Sequence, residues 1–215
     1  MLLRALLIFL FLASPGLAER KVALVIGNSA YTHAPALPNP ISDAAAVADK
    51  LRGLGYDVQL EENLTGQAFR VALGVFSENA HNADLALVFY AGHGIEMGGR
   101  NFLIPIDSEM KSESSAQFET VALDQVLSTV REAKTLGIVM LDACRDNPFA
   151  NSMKRSDGTR SVSRGLAPVS VEGEGGLVVS FAAEAGATAS DGASGHSPYT
   201  EAFLEVLDQP GLEVG

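Results

Sequence analysis

Five short extended-type runs, separated by amphipathic helical patterns, constrain this chain more than any other feature. The runs are "KVALVIGN" (21–28), "YDVQL" (56–60), "ADLALVFYAGHG" (83–94), "LGIVML" (136–141) and "GLVVSFAA" (176–183). Most are near-continuously apolar rather than alternating, as expected of strands buried on both faces. Between them, Ala44, Val47, Ala48 and Leu51 share one helical face, with Ser42 or Asp43 as N-cap. Phe69, Leu73 and Phe76 repeat the pattern, as do Leu123, Val126, Leu127 and Val130; "SPYTEAFLEVL" starts a last helix with Ser197 as N-cap and Pro198 in its first turn. Gly98-Gly99 between two short extended segments reads as a hairpin. Strands alternating with helices imply an α/β fold: a mostly parallel sheet with helices on both faces, and function gathered beyond the carboxyl ends of the strands. The segment 151–176, rich in Ser, Gly and charge, reads as a long exposed loop.

Residues 1–18 stand apart. One positive charge at Arg4, an apolar run from Ala5 to Ala13 and small residues at Gly16 and Ala18 read as a secretory signal cut after Ala18. The run is well short of the ~20 residues that span a bilayer. The expectation is a secreted or periplasmic protein, with residues 19–215 as its single domain and no membrane association after cleavage. A net charge of −11 argues against a nucleic-acid surface, which needs clustered Lys and Arg. Cys144 is the one cysteine, so no internal disulfide forms; such a thiol is either buried and inert or kept for its chemistry.

Position favours chemistry. The third run delivers Tyr90-Ala91-Gly92-His93-Gly94 and the fourth Asp142-Ala143-Cys144-Arg145-Asp146. If the two strands are neighbours, His93 and Cys144 share one rim of the sheet. A thiolate is a strong nucleophile, and an imidazole can take the thiol proton and return it to a leaving amine. Gly94 permits close backbone approach, placing its N–H and that of Cys144 to hold a developing oxyanion. Taken singly, a His between glycines is more often an ordinary loop residue, and a Cys near a strand end more often an inert one. Their occurrence together, 51 residues apart, is harder to assign to packing.

At these residues the chain resembles the bacterial caspase-like cysteine peptidases, in the clan of caspases, metacaspases and orthocaspases (peptidase C14-like). The resemblance runs from about Arg20 to the end, through "ALVIGNSAY", "SDAAAVADKLRGLGYDV", "LVFYAGHG", "IVMLDACRDNPF" and "SFAAEAGATASDG…SPYTEAFLEVL". It implies a three-layer αβα caspase-like fold, a His93–Cys144 dyad, and an oxyanion hole from the Gly94 and Cys144 amides. A caspase-type cysteine has its histidine about 50 residues upstream, as here, although Asp142 and Asp146 stand where that signature has Gln and Gly. Caspases that cut after Asp line their specificity pocket with arginine, and "LPNPISD" offers none. Metacaspases and orthocaspases, which cut after Arg or Lys, use acidic residues; the matching positions are Asp43 and Asp142, a pair suited to a forked guanidinium. The resemblance thus implies cleavage after Arg or Lys, with a peptide or protein as substrate. Asp43 serves equally as a helix cap, and Asp142 as an anchor for Arg145 or a nearby amide.

The clan's habit of cleavage between the Cys strand and the next suggests self-cleavage after Lys154, Arg155, Arg160 or Arg164. The clan's further helix and sixth strand are expected beyond residue 215, and a monomer is the expected state. A silent, peptide-binding caspase-like module and a non-peptide amide hydrolase are the competing functions. No cofactor is implied: Asp107, Glu109 and Glu113 are too scattered for the calcium cluster some metacaspases need. His33, His81 and His196 lack partners at zinc-ligand spacing, and His196 reads as merely polar in a mobile, substrate-side loop. "IGNSAY" lacks the Gly spacing and Lys of a phosphate loop.

Overall fold

The computed structural model describes residues 19–144, 148–149, 162–163, 166, 176–182 and 195–207. Five parallel strands form the central sheet: β1 (Lys21–Gly27), β2 (Tyr56–Glu62), β3 (Leu85–Met97), β6 (Leu136–Cys144) and β8 (Leu177–Phe181). Their order is β2-β1-β3-β6-β8, so the chain grows outward from β1 first to one edge and then to the other. The inner strands carry the apolar runs; β2 and β8 are only partly buried, as edges are.

Alternation along the strands loads both faces. Val22, Leu24, Ile26, Val88, Tyr90, Val139 and Leu141 pack against α2 (Gly66–His81) and α4 (Leu123–Val130) through Phe69, Phe76, Val126 and Val130. Ala23, Val25, Leu87, Phe89 and Ile138 pack against α1 (Pro40–Gly53) and α5 (Pro198–Leu207), where Phe203 stacks on Phe89 at 6.3 Å between ring centroids. This is the expected α/β, three-layer, mostly parallel arrangement. Thr65 caps α2 by accepting from the Ala68 N–H, and Ser197 caps α5 by accepting from the Thr200 N–H.

Several local expectations change. β3 does not end at Gly94 with the third run: it continues past His93 to Met97, then turns at Gly98-Gly99 into β4 (Arg100–Leu103). Both glycines have positive φ, 59° and 79°, the backbone a two-residue hairpin turn requires. β6 likewise continues to Cys144, which ends the strand rather than following it. Helix α1 begins earlier than Ser42 or Asp43: Asn39 holds the N-cap position and Pro40 the first turn, where the missing N–H costs nothing. A short helix α3 (Glu113–Glu119), closed by a Ser112–Ser115 capping box, and a two-residue strand β5 (Val121–Ala122) escaped the apolar pattern, because only Ala116 of α3 is buried. The segment 151–176 is not wholly exposed loop. Its Val162–Ser163 forms β7, pairing antiparallel with Glu96 and Met97 of β3, and Leu166 is buried against the core. Residues 1–18, read from sequence as a secretory signal, and the residues Arg145, Asp146, Lys154, Arg155, Arg160 and Arg164 lie outside the described residues. Among the described residues no helix is long and apolar enough to cross a membrane.

Candidate active site

Strand pairing brings the two reactive positions together. β3 and β6 are hydrogen-bonded neighbours in a register that sets His93 directly opposite Cys144. Paired positions on neighbouring strands are ~5 Å apart. Gly94 follows on β3, and a Cβ there would meet the Ala143 Cβ at 3.2 Å and the Leu166 side chain at 3.3 Å. Any larger residue would press on β6 beside Cys144.

The loop after β1 completes the surroundings of His93. Asn63, at φ 52°, accepts the N–H groups of Ser29 and Ala30 at 3.0 and 2.9 Å, and Thr32 donates twice to the Ile106 carbonyl. So pinned, the loop presents the Pro35 carbonyl 2.9 Å from His93 Nε2. A carbonyl can only accept, so Nε2 carries the proton and Nδ1 keeps its lone pair in the neutral ring. Nδ1 is buried and, among the described residues, has no hydrogen-bond partner. Burial of the ring, only 5 % exposed, pushes its pKa below the ordinary 6.5, partly offset by the Pro35 carbonyl. The result is a neutral imidazole with its basic nitrogen uncommitted.

Asp43 and Asp142 also meet, on the α1/α5 face. Asp43 is 1 % exposed and Asp142 8 %. Asp43 does not play the simpler part considered for it, and an anchoring of Arg145 by Asp142 lies outside the described residues. Asp43 caps no helix of its own: its Oδ1 accepts from His196 Nδ1 at 2.8 Å and from the Ser197 N–H at 3.2 Å. Asp142 Oδ2 accepts from the Ser197 hydroxyl and from Thr200 Oγ1, the latter at 2.8 Å. Desolvation raises both carboxyls above 3.8; for Asp43 the charge of Asp142 adds to it, while His196 and Ser197 oppose it, and for Asp142 the Ser197 and Thr200 hydroxyls oppose it.

His196 is therefore more than a polar loop residue; its imidazole seats on Asp43 across 153 residues of sequence. Nothing local signals such a contact, and the Pro35 carbonyl, a backbone atom, is equally unmarked. His81 pairs with Glu132 at the surface at 3.1 Å, and His33 is exposed. Asp107 accepts from the Gly66 N–H and Glu109 pairs with Lys111; among the described residues no three His, Cys, Asp or Glu side chains converge on a metal position.

The family model for the caspase domain matches residues 20–215. The chain belongs to the caspase domain family. Among relatives, the human mucosa-associated lymphoid tissue lymphoma translocation protein 1 is 33% identical over 130 residues, 60% of this chain and 15% of that protein. Cell death protein 3 of Caenorhabditis remanei is 28% identical over 134 residues, 60% of this chain and 25% of that protein, and horse caspase-1 is 26% identical over 161 residues, 71% and 38%. The chain thus spans well under half the length of each of these relatives. A caspase-like peptidase domain with an α/β sheet is what sequence and fold establish together.

Proposed function

We propose that this caspase domain is a cysteine endopeptidase cleaving after Arg, or Lys, with His93 as general base and Cys144 as nucleophile. The observation that carries the reading is the uncommitted Nδ1 of a neutral His93, held through Nε2 by the Pro35 carbonyl and paired in register with the one cysteine. The Cys144 thiol passes its proton to His93 Nδ1, and the sulfur attacks the substrate carbonyl carbon. The oxyanion so formed takes hydrogen bonds from the Gly94 and Cys144 amides. On collapse the C–N bond breaks, His93 returns the proton to the departing amine, and water hydrolyses the thioester. General acid–base help of this kind is worth ~10²–10⁴ in rate.

Asp43 and Asp142 supply the specificity. Two desolvated carboxyls, each pushed toward the neutral form, gain from an arriving cation, and the arginine guanidinium supplants His196 on Asp43. Peptides and proteins are the substrate class, and the enzyme acts as an exported monomer after loss of residues 1–18. Self-cleavage between β6 and β8 favours Lys154 and Arg155 over Arg160 and Arg164, because the latter two lie in sequence within a few residues of the paired Val162–Ser163 and the buried Leu166.

Paired fluorogenic peptides ending in Arg and in Asp test the reading, with Cys144→Ala as control. Arg-selective turnover that vanishes in the variant is the expected result. Equal cleavage of both peptides, or none by a chain extended past residue 215, refutes it and favours a silent module.

A further inference from the structure

The "IGNSAY" segment that closes β1 is no phosphate loop, but the structure shows what it holds. Its Tyr31 is buried, and its hydroxyl accepts from the His93 N–H at 2.8 Å. In a regular ladder that N–H would go to a neighbouring strand. The Tyr90 hydroxyl donates to the His93 carbonyl at 2.8 Å, and the two phenol oxygens lie 3.3 Å apart. The partners of the Tyr90 hydrogen, the His93 and Ile104 carbonyls, can only accept. Proton counting therefore leaves Tyr31 as the donor across the 3.3 Å contact. The hydrogen bonds run in one direction, from the His93 N–H to Tyr31, from Tyr31 to Tyr90, and from Tyr90 back to the His93 carbonyl.

We propose that this circuit makes Tyr31 a positioning residue for His93, locking the imidazole with Nδ1 as its basic nitrogen. The inference rests on the reading of His93 as general base. Two further observations support it. The Tyr31 ring packs directly on the imidazole, centroids 4.5 Å apart and planes tilted by 51°, while the Pro35 carbonyl, four residues further along the same loop, holds Nε2. One loop thus fixes the ring by two routes. Gly92 shows that the space is reserved for the phenols: a Cβ there would fall 2.6 Å from both hydroxyl oxygens. The glycine before His93 is accounted for by the circuit, as the one after it is by β6.

Tyr31→Phe keeps the ring and removes the hydroxyl; Tyr31→Leu removes both. Displacing a catalytic group by ~1 Å costs ~10² in rate, so kcat on the Arg peptide should fall about tenfold in Tyr31→Phe and about a hundredfold in Tyr31→Leu, with KM within about twofold. Histidine ¹⁵N NMR should show the Nε2–H tautomer in the wild type and a tautomer mixture in Tyr31→Leu, whose acid limb of kcat/KM moves up in pH. Should Tyr31→Leu not fold, the kcat and tautomer of Tyr31→Phe decide. Variants that lose thermal stability while keeping kcat, tautomer and acid limb overturn the proposal. A wild-type chain inert toward every peptide removes the general-base reading instead, and the tautomer measurement then decides alone whether Tyr31 orders the ring.

Discussion

His93 and the Asp43–Asp142 pair are buried to a similar degree, yet burial serves them in opposite ways. Besides Cys144, which stands opposite it in register, the histidine meets a carbonyl and two phenol hydroxyls, and desolvation favours its neutral form. The carboxyls share hydrogen-bond partners in the 196–200 segment, and desolvation works against their ionised form, the form a bound cation would favour under the proposed specificity. The first half of the site is complete in itself. The second is satisfied by borrowed donors from residues 196–200.

The largest way to test that contrast is His93→Ala, which should lower kcat by about 10²–10⁴ with little change in KM; a loss confined to KM would place His93 in recognition instead. Asp142→Asn should cost roughly 30-fold or more in kcat/KM on the Arg peptide, the scale for truncating a buried charge partner, and much less on a citrulline analogue. The same variant separates the two halves by stability. Asp43 and Asp142 have raised folded pKa values, so their contribution is present below 3.8 and lost as pH rises through the folded values. His93 is depressed, so its contribution is present above 6.5 and lost as pH falls through its folded value. Denaturant melts should therefore show Asp142→Asn more stable than wild type at pH 7, with the advantage gone near pH 3; a destabilised variant at pH 7 would mean that the Ser197 and Thr200 hydrogen bonds outweigh desolvation.

Smaller effects sharpen the comparison. His196→Ala removes one competitor for Asp43, and with a net hydrogen bond near ~1 kcal/mol the KM for the Arg peptide should drop about fivefold. An unchanged or higher KM would make His196 a support of the pocket, not its occupant. Thr65→Ala, at the cap of α2 and remote from both halves, should cost ~1 kcal/mol in a denaturant melt and leave kcat/KM unaltered.

Legibility in the sequence followed the kind of interaction involved. The five parallel strands could be read because runs such as "ALVFYA" have no soluble alternative to a two-sided burial. His93, Cys144, Asp43 and Asp142 stood out as reactive or acidic side chains at strand and helix ends. What stayed hidden depends on distant contact or on the main chain. His196 acquires its role from a residue 153 positions away, α3 buries too little to leave a period, and Val162–Ser163 adds to β3 from within a stretch whose composition reads as loop. Asp43 is an obvious capping residue type, but its carboxylate is committed to the start of α5, and α1 begins earlier, with Asn39 at its N-cap.

The partner of His93 Nε2 has a consequence for how such a site passes through generations. An oxygen belonging to the main chain at position 35 cannot be deleted by changing a codon, since every amino acid supplies the same carbonyl. Drift at that position is silent while the loop keeps its shape. The burden of inheritance moves to the residues that shape it, chiefly the Asn63 amide that gathers Ser29 and Ala30.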